Sequence, residues 1–148
     1  MTSLCTGETE WTILGRQTGT SDIPLTALGE RQVASTGRVL VGPGKLLDPA
    51  KVMRVWVSPR QRAVRTFQLL FDDVAGGKDE GETVAGVAEG IFGGGQGSVV
   101  VSEQIREWDY GDYEGMLKKE VDELRRQRGV QGTDDVWNVW RDGCEGGE

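Results

Sequence analysis

Val52 to Val57 reads VMRVWV, and Ser58-Pro59 follows it at once. This junction limits the possible folds more than any other stretch of the 148-residue chain. A short run of β-branched and aromatic residues predicts a strand, buried on most of its sides. Ser is a preferred N-cap and Pro suits the first helical position, so a helix is expected to begin directly after it. Ala63, Phe67 and Leu70 recur at i, i+4 and i+7 and give that helix a core-facing stripe. The same alternation continues along the chain. Thr26 to about Leu40 predicts a helix with Leu28, Val33, Val39 and Leu40 apolar, weakened by Gly29 and Gly37. Ser98 to Val101 predicts another strand. Met116 to Arg128 predicts a helix striped by Leu117, Val121 and Leu124, with Asp122 and Arg126 paired and Gly129 as its stop. Strands alternating with helices give an α/β fold with a mainly parallel sheet.

The length suits one domain with a modest core. Gly76 to Ser98 interrupts it with nine glycines and few large apolar side chains. Such a segment has little to bury against the entropy of ordering it, so a flexible surface insertion at about 76–98 is expected. It contains neither GxxxxGK followed by Ser or Thr nor GxGxxG, which argues against a phosphate-cradling loop.

A net charge of −7 argues against nucleic acid as a partner, while local arginine clusters leave room for a small phosphorylated ligand. The chain contains no histidine. That removes the commonest general base and metal ligand, so neither a zinc site nor a Ser-His-Asp triad can be built from it, and no metal or cofactor is expected. Cys5 and Cys144 lie far apart without a CxxC spacing. With no secretory leader and no apolar run near 18 residues, a soluble protein of the reducing cytoplasm, away from membranes, is expected.

Three segments carry chemistry. SPRQRAVRT, Ser58 to Thr66, places Arg60, Arg62 and Arg65 in the first two turns of a helix. Cations there oppose the partial positive charge of the helix N-terminus by about 0.3–1 kcal/mol each, which an anion in front of them would relieve. The plainer alternative is that these arginines reach into solvent or pair with distant carboxylates. IREWDYGDYEG, Ile105 to Gly115, follows Glu103 and interleaves Glu107, Asp109, Asp112 and Glu114 with Trp108, Tyr110 and Tyr113. A carboxylate held against aromatics would serve as a proton donor; an acidic loop with aromatics dipping into the core is the alternative. GETEW and GRQTGTSDIPLT, within Gly7 to Thr26, are short polar segments suited to aiming N–H groups into a pocket.

In order and spacing these segments, with GRQTGTSDIPLTALGERQ and WNVWRDGCEGGE, resemble the phosphoglycerate-mutase-like histidine phosphatases, most nearly fungal sedoheptulose-bisphosphatase-like members. The resemblance covers nearly the whole chain outside the Gly-rich segment. It implies a three-layer sandwich around a mainly parallel sheet, and a histidine that attacks a phosphoryl group while arginines clamp its oxygens. By position, Arg62 would be a clamp and Glu107 the proton donor. Thr20, Ser21, Trp140 and Arg141 would lie near a sugar phosphate.

The departures fall on the reacting positions. Where the family has Arg-His before Gly-Glu-Thr-Glu, this chain has Cys5 and Thr6. The nucleophile position is a threonine without a neighbouring base, and one clamp position is a thiol. Cys5 does not rescue the chemistry in the manner of cysteine phosphatases, because Trp11 and Thr12 stand where their loop carries arginine. The family's second catalytic histidine lies in an Ala-His-Gly segment downstream of anything in this sequence. The expectation is a truncated chain that lacks the C-terminal strands and helices, without turnover, as a pseudoenzyme or an incomplete gene model. Two alternatives stand beside it: an active sugar-phosphate phosphatase whose true product is longer, and a module that binds a phosphorylated ligand without hydrolysing it. A clipped first strand and a missing inner strand further predict a marginal fold and self-association through unpaired sheet edges.

Overall fold

The computed structural model describes residues 2–76, 83–92, 97–130 and 136–147. Its helices are α1 (Glu10–Leu14), α2 (Ala27–Leu40), α3 (Gln61–Ala75), α4 (Val84–Phe92), α5 (Lys118–Gln127) and α6 (Val139–Asp142), and its strands are β1 (Arg54–Val57) and β2 (Ser98–Val101). β1 and β2 pair in parallel, with Arg54 opposite Ser98 and Val57 opposite Val101. The α/β class and the parallel pairing read from the sequence are what the chain adopts. Thr2 to Glu8 form no strand.

α2 begins where Thr26 accepts the Gly29 N–H at 2.9 Å, an N-cap of the preferred kind. Its two glycines, which lower helix propensity, are its contact points. A Cβ on Gly29 would stand 2.4 Å from the Glu8 carbonyl, and one on Gly37 would stand 2.4 Å from the Leu70 carbonyl of α3. Side-chain-free positions let neighbouring backbone approach closely, and burial offsets the lost propensity. α3 contributes Phe67, Leu70, Phe71 and Ala75 to a core shared with Val33, Val57 and Val87.

Four local expectations are corrected. α3 starts at Gln61 with Arg60 as N-cap, not at Ser58-Pro59. The Asp22 carboxylate, from a distant loop, accepts the Gln61 N–H at 2.7 Å and sets the start there. β1 is not buried on most sides: Val57 is buried while Trp56 is 48% exposed, because no described element packs on the face carrying Arg54 and Trp56. Asp122 does not pair with Arg126. Its carboxylate accepts the Trp137 N–H at 2.7 Å, and Arg126 bonds Glu123 instead. Within the segment read as a flexible insertion, Val84–Phe92 fold as α4, with Val87 buried and Val84 and Ile91 packed beside it. The spacing of those three residues makes one helical stripe. The remainder of that segment between α3 and β2, at 77–82 and 93–96, lies outside the described residues.

A second, smaller core forms where Tyr113 and Val121 pack with Trp137, the Tyr113 and Trp137 rings meeting edge to face at 5.4 Å. Gly129, at φ +69°, ends the last turn after α5. Among the described residues no helix is long and apolar enough to cross a membrane.

Candidate functional site

The loop Thr18–Ser21 is the meeting point of the chemical segments. Arg62, buried in the first turn of α3, donates from Nη1 to the Ser21 carbonyl at 2.7 Å and from Nη2 to the carbonyls of Gly19 at 3.0 Å and Thr18 at 3.4 Å. From the other side the Glu114 carboxylate accepts the N–H of Gly19 at 3.0 Å and of Ser21 at 2.9 Å. Thr20, half-buried, lies between the two gripped residues. Burial lowers the Arg62 pKa from its ordinary value, and the negative charges of Glu107, Asp22 and Glu114 act against that fall.

The neighbouring cations of the SPRQRAVRT segment are also engaged. Arg60 reaches Glu103 at 3.3 Å and Arg65 reaches Glu30 at 2.7 Å. With Asp22 on the first N–H of α3, the anions in front of this helix are the protein's own carboxylates. Two groups stand apart. Ser58 Oγ and Arg60 Nε are shut off from solvent and have no hydrogen-bond partner among the described residues.

Glu107 lies exposed, and its Oε1 accepts the Trp108 N–H at 2.9 Å. Tyr110 is the perturbed group of that segment, its pKa raised first by burial and then by the charge of Glu107. The Trp108 ring meets the ring of Trp140 at 5.5 Å, edge to face. Trp140 is otherwise 82% exposed on α6. Its neighbour Arg141 turns to Asp142 at 2.9 Å and to the Val136 carbonyl at 2.8 Å.

Cys5 and Thr6 lie elsewhere. Gly7 N–H donates to Thr66 Oγ1 at 3.0 Å, one helical turn beyond Arg62, and pins the N-terminal segment against α3. There Cys5 and Thr6 line an open cavity of about 260 Å³ with Gln32 and Thr36 of α2 and Thr66 and Leu70 of α3. Arg62, Glu107, Trp140 and Arg141 are not among its walls. The structure therefore brings Arg62, Ser21 and Thr20 together and joins Trp140 to Trp108, while Cys5 and Thr6 line a cavity that does not include them.

The roles of two residues that organise the site escaped the sequence reading, which named Glu114 only as one of several carboxylates among aromatics and Asp22 only within the GRQTGTSDIPLT segment. Asp22 and Glu114 act across 39 and 95 residues respectively, so no local pattern signals them. Glu114 had one visible clue, its place in the alternation of carboxylates and aromatics. Among the described residues no group of three or more Cys, Asp or Glu side chains is placed to hold a metal ion.

Residues 4–148 match the model of the histidine phosphatase superfamily, branch 1. The chain is 40% identical over 142 residues to sedoheptulose 1,7-bisphosphatase of Saccharomyces cerevisiae, covering 96% of the chain and 46% of that protein. It is 32% identical to an acid phosphatase of Mycobacterium tuberculosis, covering 96% of the chain and 51% of the relative. It thus spans about half the length of these relatives. A solved structure, the product of open reading frame Rv3214 of Mycobacterium tuberculosis, superposes with a TM-score of 0.57 at 28% identity, covering 97% of the chain and 54% of its counterpart.

Proposed function

Because the chain belongs to branch 1 of the histidine phosphatase superfamily, we propose that it is a sedoheptulose-bisphosphatase-like polypeptide without catalytic turnover of its own. Thr6 carries this reading. The threonine stands at the nucleophile position of the Gly-Glu-Thr-Glu-Trp motif, and the 148 residues contain no histidine to replace it. A neutral hydroxyl with no histidine to serve as its base is a poor phosphoryl acceptor, and loss of a catalytic nucleophile costs about 10⁴–10⁶ in rate. Cys5 at the clamp position offers no positive charge to a phosphate.

The remaining positions keep roles that do not need turnover. Arg62 holds the Thr18–Ser21 loop, and Glu107, at the position that the family resemblance gives to the proton donor, accepts the Trp108 N–H. The test is phosphate release from sedoheptulose 1,7-bisphosphate by the purified chain, with acid-labile phosphoprotein measured in parallel. The expected result is neither product above the buffer blank. Sustained turnover abolished by Glu107→Gln would overturn the reading.

Two observations favour other readings. The unpartnered Ser58 Oγ and Arg60 Nε at the start of α3 suit a module that binds a sugar phosphate without hydrolysing it. It predicts saturable quenching of Trp108 or Trp140 fluorescence by the bisphosphate. The span of about half the relatives' length, with Glu107 and its motif in place, suits an active phosphatase whose product is longer. A transcript reading through both ends into the missing histidines decides for it.

A further inference from the structure

We draw no further inference here: the strongest candidate, the side-chain cluster of Ser58 Oγ and Arg60 Nε at the start of α3, belongs to the site already described, and nothing among the described residues shows what it would hold.

Discussion

Arg62 and Glu114 hold the same loop by opposite sides of its backbone. The guanidinium takes the carbonyls of Thr18, Gly19 and Ser21, and the carboxylate takes the N–H groups of Gly19 and Ser21. The two charges are joined through neutral peptide groups, which lets Arg62 sit at 6% exposure without a direct ion pair among the described residues. A loop held in this way has both hydrogen-bonding faces satisfied before any ligand arrives.

Removing Glu114 should loosen that loop. Glu114→Ala leaves the Gly19 and Ser21 N–H groups without their charged acceptor and is expected to cost about 2–4 kcal/mol in urea unfolding. Combined with Arg62→Met, the two losses should fall short of additivity by about 0.5–3 kcal/mol. Strict additivity would mean that the residues act independently.

Gly19 should tolerate no side chain. A Cβ there would stand 2.0 Å from the Trp108 carbonyl. Gly19→Ala is expected to lower stability by about 1–3 kcal/mol and to shift the emission of Trp108, read by thermal melting followed through fluorescence. An unchanged melting temperature would contradict so close an approach.

Tyr113 should matter through its hydroxyl as well as its ring. Arg125 Nη1 donates to Tyr113 Oη at 3.2 Å, and both side chains are buried. Tyr113→Phe keeps the packing on Trp137 but takes an acceptor from a buried guanidinium. The expected cost is about 1–3 kcal/mol, seen as a lower urea midpoint at unchanged slope.

Asp142 should make α6 acid-sensitive. The side-chain hydrogen bond from Arg141, followed by the backbone N–H of Asn138, lowers its pKa from 3.8 to about 2. Because the folded value is the lower one, this stabilisation is complete above pH 4 and is lost as pH falls through about 2. Asp142→Asn should abolish that part of the acid transition in Trp140 fluorescence. An identical acid profile in the variant would remove Asp142 as its source.

The sequence by itself determined the elements whose signals are local. The apolar run before Ser58-Pro59, the stripe through Phe67 and Leu70, and the Thr26 cap each act within a turn or a strand, and each element formed within a few residues of its expected bounds. The order of the Gly-Glu-Thr-Glu-Trp, Ser-Pro-Arg-Gln-Arg-Ala and Glu-Trp-Asp-Tyr-Gly segments likewise carried the family, and the absence of histidine from the sequence needed no coordinates to notice. Tertiary structure decided where charges and edges found partners. Arg60, Arg62 and Arg65 face Glu103, backbone carbonyls and Glu30, each at least 35 residues away in sequence. Asp22 fixed the start of α3 against the local preference of Ser58, and Glu8 and Leu70 turned the glycines of α2 into contacts. Helix caps and stripes depend on neighbours a few residues away, so sequence spacing reports them. A carboxylate reaching a guanidinium across the chain depends on how the elements pack, and only the folded backbone brings those groups within hydrogen-bond distance.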